Sequence, residues 1–313
     1  MSGNVRTLLI AAQIAVSIAC FGFLAVVIDW PGALVALNDL GFASLVGGAS
    51  VFLSAQFLAA WRMQLVLKAV GVDLPFGEAA RLCWLGLASS NVLPSTIGGD
   101  VLIVMALSRF GRSVVKSITG LVLNRVISLL ATLLCLPTVL LVPKLVGVTQ
   151  AIRPTSLVIF ALLGLAIVVV SIIGLRLRPR LAKRWSLIRE MVESCRNQTG
   201  LMAGTLVISI SILGLGAITI QLLLPDLSGK DTFVPILAIV SLVMIAQLIP
   251  ISFNGLGIQE SLLTTCLSMV GWTLESAAVA AIAVRFITIG VSLPGLLWIS
   301  FLWRRRTEPV VGA

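Results

Sequence analysis

Six stretches of this 313-residue chain run for about 20 residues or more with almost no charge: Thr7–Ile28, Gly41–Leu67, Ile118–Leu141, Thr155–Leu175, Leu201–Leu224 and Ser276–Leu302. A hydrocarbon core of about 30 Å takes about 20 helical residues to cross. Lipid offers the backbone no hydrogen-bond partners, so each stretch has to satisfy its own N–H and C=O groups as a helix. The fold class that follows is an all-α polytopic membrane protein with about six full spans. With 59% of residues hydrophobic and 11% charged, too little polar surface remains for a water-soluble globule, and residues 1–313 read as a single membrane domain. The absence of His removes imidazole general acid/base catalysis, His metal ligation and His-based triads. The five Cys (Cys20, Cys83, Cys135, Cys195, Cys266) are scattered through mostly apolar surroundings with no CxxC pair, and read as small buried hydrophobes. No cofactor and no metal is expected.

A net charge of +10 would point to nucleic acid in a soluble chain, but on a membrane protein basic residues report orientation first, so no nucleic-acid partner is expected. The segment 176–199 carries Arg176, Arg178, Arg180, Lys183, Arg184, Arg189 and Arg196, and the C-terminal tail carries Arg304, Arg305 and Arg306. The first loop, Asp29–Asp39, has no Lys or Arg. Both termini and the basic loop are therefore placed in the cytoplasm, with the chain in the cytoplasmic (inner) membrane. Thr7–Ile28 reads as a retained anchor, because it is longer than a usual signal-peptide core and lacks a small-residue cleavage site. Arg125 and Arg285 fit no loop.

Two further apolar regions do not read as simple spans. Arg81–Leu107 is preceded by Arg62, Lys68 and Arg81 and followed by Arg109, Arg112 and Lys116, so both its ends belong on the cytoplasmic side. Its centre, ASSNVLPSTIGGD, holds Pro94 and the pair Gly98–Gly99 as helix breakers, which predicts a re-entrant hairpin of two half-helices. Thr232–Gly271 follows the same pattern from the opposite face, broken at IPISFNGLGIQE, with a first limb long enough to cross fully. The order span, hairpin, span then occurs twice in opposite senses, giving inverted halves at roughly 41–142 and 201–302. An offset of 160 superimposes Asp100, Gly111 and Arg125 on Glu260, Gly271 and Arg285. Inverted repeats with broken helices are the architecture of alternating-access transporters, whose sites lie between the halves.

Asp100, Arg125, Glu260 and Arg285 are charges at membrane depth, where each costs several kcal/mol unless paired or hydrated. Two readings stay open. Asp100 with Arg125 and Glu260 with Arg285 can be salt bridges that only pin each hairpin to the next span. Alternatively, the two guanidiniums and the half-helix N-termini near Gly98, Gly99, Gly255 and Gly257 form an anion site suited to phosphate. Asn91, Pro94 and Asn254 lie at the breaks, where the asparagines reach a ligand or cap a half-helix. Asn124 is placed to cross-link helices. The membrane lipids themselves, through a phosphate headgroup, are the expected partners.

At NVLPSTIGGD, GRSVVKSITGLVLNR, IPISFNGLGIQE and GWTLESAAVAAIAVR the sequence resembles the lysylphosphatidylglycerol synthase transmembrane-region family, also called flippase-like domain proteins. In larger relatives this membrane region is joined to a soluble aminoacyl-transferase domain. The resemblance thus implies lipid translocation rather than an enzyme, with Pro94 to Asp100, Arg125 and Asn254 to Glu260 on the family's motif positions. Family members often carry Arg at the positions of Ile103 and Gln259, so this chain brings two fewer positive charges to the site, which argues against a multiply charged headgroup. Two other functions compete: a membrane enzyme acting on a polyprenyl-phosphate-linked substrate, and a non-transporting docking partner for a separate lipid-modifying enzyme. With no nucleotide-binding motif, translocation would draw on a gradient or on use of the lipid at the far side.

Overall fold

The computed structural model describes residues 22, 26, 28–92, 96–142, 198–225, 231–247 and 255–304. Among these the chain is helical throughout, with no strand. The expected spans Thr7–Ile28 and Thr155–Leu175 and the basic segment 176–199 lie outside the described residues, wholly or almost so.

Four helices are long and apolar enough to span: α2 (Phe42–Ala69), α5 (Val114–Cys135, extended by a 3-10 turn Leu136–Leu141), α6 (Thr199–Leu222) and α9 (Leu274–Arg304). The protein is thus an all-α, multi-pass membrane protein. Pro137 sits in the first residues of the 3-10 turn, where a missing N–H is tolerated. The segment expected as the first loop is instead α1 (Trp30–Asp39), which starts where the Asp29 carboxylate accepts the Gly32 N–H at 3.2 Å, with Pro31 in the first turn.

The two interrupted regions form four shorter helices, α3 (Phe76–Val92), α4 (Thr96–Arg109), α7 (Phe233–Ala246) and α8 (Ile258–Val270). At about 1.5 Å per residue, their 13 to 17 residues reach only about 20–26 Å, short of the bilayer core. The first limb of the second region is therefore shorter than the full crossing its apolar length allows, because the α-helix ends at Ala246. Gly98 and Gly99 do not break the first hairpin. They lie in the opening turn of α4, while the expected breaker Pro94 lies outside the described residues. Gly99 is there for proximity: a Cβ on it would stand 2.7 Å from the Gly86 carbonyl oxygen of α3.

The ends of α4 and α8 are built alike. Gly111 (φ +73°) and Gly271 (φ +136°) follow them in the left-handed region, and the next residue's N–H returns five residues, Arg112 to the Leu107 carbonyl and Trp272 to the Leu267 carbonyl. The two closures stand 160 residues apart (271 − 111).

Packing follows the same correspondence. Helices α2 and α6 form the most extensive pair and run antiparallel, since Gly48 meets Leu223 at one end while Arg62 bonds Ser209 at the other. Helix α3 packs on α9, and α7 packs on α5 and its 3-10 extension. One apolar core gathers the end of α2 with α3, α4 and α5, and a second gathers α6 to α9 with α1 and the end of α5. Inside lipid, helices gain little from apolar burial against one another, so small residues that allow close approach carry the association. Gly295 is the sharpest case, with a would-be Cβ 2.1 Å from the Trp84 carbonyl oxygen and 2.8 Å from the Ala88 methyl. The Trp84 indole N–H donates to the Val291 carbonyl at 2.9 Å, beside Pro294, whose missing N–H interrupts the ladder of α9.

Gly295→Ala is expected to destabilise the folded protein by about 1–3 kcal/mol or more, because the obstacle is backbone rather than a movable side chain. Gly290→Ala on the same helix meets nothing within 4 Å and should be neutral to slightly stabilising. Thermal melts of both variants in one detergent check the contrast.

Candidate functional site

Each hairpin's second limb is tied to the following span by an ion pair through the guanidinium Nε. Arg125 on α5 donates to the Asp100 carboxylate on α4, and Arg285 on α9 donates to the Glu260 carboxylate on α8. The partners are 25 residues apart in both cases. Their surroundings differ. Arg285 and Glu260 are 11% and 2% exposed, whereas Arg125 and Asp100 are 44% and 30% exposed.

Local structure explains the tighter pair. Gly257 (φ +83°) precedes α8, and its N–H donates to Glu260 Oε2 at 2.7 Å, so the glutamate caps the helix with one oxygen and holds Arg285 with the other. Gln259 Oε1 accepts a further bond from Arg285 Nη2 at 3.0 Å. The guanidinium is thus fixed by two successive residues of one helix turn, leaving three of its five N–H groups for another partner.

Arg285 and Gln259 line a cavity of about 270 Å³ inside the bundle. Its other walls come from α2 (Phe52, Gln56), α3 (Leu87, Ser90, Asn91), α6 (Gly216, Thr219, Ile220), α7 with its C-terminal Gln247, and α9 (Val284, Thr288). Asn91 also donates to the Ser292 hydroxyl at 3.0 Å, linking α3 to α9 at the cavity wall. Of the residues singled out in the sequence, Asn91 and Arg285 line the cavity, and Glu260 stands behind Arg285 as its counter-charge. Asp100 and Arg125 do not line it, nor do Gly98, Gly99, Gly255 or Gly257. Gly255 (φ +70°) instead packs against Gln247, with its would-be Cβ 3.5 Å from Gln247 Cγ. Pro94 and Asn254 lie outside the described residues.

Charge order along the sequence makes Arg62 a flanking charge ahead of the first hairpin. The structure places it inside α2, seven residues short of that helix's last residue, Ala69. Its Nε donates to Asn124 Oδ1 and its Nη1 to Ser209 Oγ, both at 3.0 Å, so it joins α2, α5 and α6. Counting charges by segment hid it. The signal was available in the apolar stretch that continues past it to Leu67. The cavity amides Gln56 and Gln247 were also passed over, because a lone glutamine in an apolar run carries no charge to mark it. Among the described residues no group of three or more Cys, Asp or Glu is placed to hold a metal ion.

Residues 10–295 match the family described as Lysylphosphatidylglycerol synthase TM region. The chain belongs to that family. No curated protein is significantly similar to it in sequence. In this lysylphosphatidylglycerol synthase transmembrane-region chain, the matched segment takes in both hairpins, both ion pairs and every residue of the cavity wall.

The enclosure of the second pair sets an expectation. Arg285→Leu leaves the Glu260 carboxylate buried without its main counter-charge and should cost about 3–5 kcal/mol. Arg125→Leu, at the more open pair, should cost less. Denaturation midpoints in detergent for the two variants give the order directly.

Proposed function

We propose that this protein is a lipid translocase that carries a phosphate-bearing lipid across the cytoplasmic membrane, its headgroup passing through the central cavity while the acyl chains stay in the bilayer. The observation that carries this reading is the cavity with a rigidly held Arg285 in its wall. A guanidinium with free N–H groups suits a phosphate oxygen, and in a low-dielectric surround that contact is strong. At about 270 Å³ the cavity falls just below the range of sites for drug-sized ligands, which fits a headgroup and not a whole lipid.

The reading rests on two inverted halves, about 41–142 and 201–302, each a span, a re-entrant hairpin and a second span. It is supported by the antiparallel α2–α6 pair, by the matching closures at Gly111 and Gly271, and by the reciprocal packing of α3 on α9 and α7 on α5. The cavity straddles the relation between the halves: Gln56 and Gly216 both line it, as do Leu87 and Gln247, and each pair is separated by 160 residues (216 − 56 and 247 − 87). A site on that axis is what alternating access requires, because each half then forms one gate. Asp100 and Arg125, with Gly98, Gly99, Pro94 and Asn254, belong in this reading to the opposing gate.

In liposomes holding fluorescent phosphatidylglycerol, the purified protein should speed exchange of the label between leaflets, followed by dithionite quenching. Arg285→Lys keeps the charge beside Glu260 but loses the planar fork, and should slow exchange at least about tenfold with little change in melting temperature. If no lipid moves faster than in empty vesicles while the protein is folded, the translocase reading fails. Orientation is checked separately with the native Cys195 of the basic loop, the other four cysteines replaced by Ser. A membrane-impermeant maleimide should label it only after the cells are opened.

A further inference from the structure

We infer that the cavity selects a lipid whose headgroup, beyond its phosphate, is uncharged and rich in hydroxyl groups, a polyol or sugar. This deepens the translocase reading and rests on it.

The first ground is charge. Among the described residues Arg285 is the one ionisable side chain in the cavity wall, and Glu260 already neutralises it. The Glu260 carboxylate is committed on both oxygens, to Arg285 and to the Gly257 N–H. A cationic headgroup such as an ammonium or an aminoacyl group therefore meets no available carboxylate there, and a second anionic group meets no further cation.

The second ground is the count of donors and acceptors. Gln247 Nε2 is buried with no hydrogen-bond partner while its residue lines the cavity. A buried unsatisfied amide is rare and asks for an explanation, and a ligand acceptor supplies one. Gln56, on α2, makes no side-chain hydrogen bond among the described residues, and Gln259 uses only its oxygen. Each free amide offers donors and an acceptor together. A phosphate oxygen only accepts and an ammonium only donates, so either would leave half of these groups unmatched. A hydroxyl does both. Asn91, Thr219 and Thr288 add polar atoms to the same wall. A headgroup with several hydroxyls uses this lining fully, whereas a bare phosphate uses Arg285 and little else.

The test is equilibrium binding in detergent of three dihexanoyl lipids: phosphatidylinositol, with a neutral polyol; phosphatidic acid, with phosphate alone; and phosphatidylethanolamine, with a cationic group. Phosphatidylinositol is expected to bind about tenfold tighter than either of the others, the effect of one or two satisfied buried hydrogen bonds. Gln247→Leu should bring phosphatidylinositol down to the level of phosphatidic acid, without lowering the melting temperature, because it removes an amide that has no partner in the unliganded protein. Gln56→Leu, on α2, should act in the same direction and serves if the first variant fails to fold. Equal affinity for phosphatidylinositol and phosphatidic acid, with both weakened by Arg285→Lys, would overturn the polyol inference and leave the phosphate reading standing. Binding of none of the three, or binding indifferent to Arg285→Lys, would overturn the phosphate reading and this inference together.

Discussion

A guanidinium in hydrocarbon has to be compensated, and most of what positions this protein's central elements follows from that demand. An isolated buried charge costs far more than a helix contact supplies, so Arg125 and Arg285 confine the neighbouring limbs to geometries that deliver a carboxylate. The short helices α4 and α8 are each tied by an ion pair to the following span, which fixes their position and rotation against it. Arg62 meets the same demand with neutral groups, Asn124 and Ser209, and so fastens three spans at one point.

Around these polar anchors, the helices approach through small residues rather than through apolar burial. Gly99 against Gly86 and Gly295 against Trp84 bring backbones into contact, and both contacts belong to α3. That helix is also tied to α9 by its Trp84 and Asn91 side chains and by Arg81 stacked 4.4 Å over the Trp298 ring. A cavity wall needs this sort of fixation. Asn91 reaches the cavity lining from a helix held at several points along its length.

Much of this was legible in residue order. Reading Arg81–Leu107 and Thr232–Gly271 as interrupted rather than as simple spans anticipates the short helices α3, α4, α7 and α8. The 25-residue spacing from acid to Arg, repeated at an offset of 160, pairs Asp100 with Arg125 and Glu260 with Arg285 before any distance is measured. Other features were not legible, for physical reasons. Glycine in an apolar segment serves equally as a breaker or as a contact, and only the neighbouring backbone decides that Gly99 is the second. Which of the two ion pairs is enclosed depends on the packing around each, and the sequence spacing is identical for both. The cavity's amides are uncharged and isolated in sequence, and they acquire meaning only when α2, α7 and α8 bring them to one wall.

That asymmetry between the pairs bears on the proposed site between two inverted halves. If both arginines lined the cavity, it would hold two guanidiniums and two carboxylates, and any headgroup would compete with four charges already matched to one another. Here Arg285 lines the cavity while Asp100 and Arg125 do not, so among the described residues a single guanidinium meets the cavity, with the neutral amides of Gln56, Gln247 and Gln259 in the same lining. In the proposed translocase, a site of that composition would bind a phosphate at one point and read the rest of the headgroup by hydrogen bonds alone. Such a contact releases its ligand more readily than a multiply charged one, and release at the far leaflet is as necessary to transport as capture at the near one.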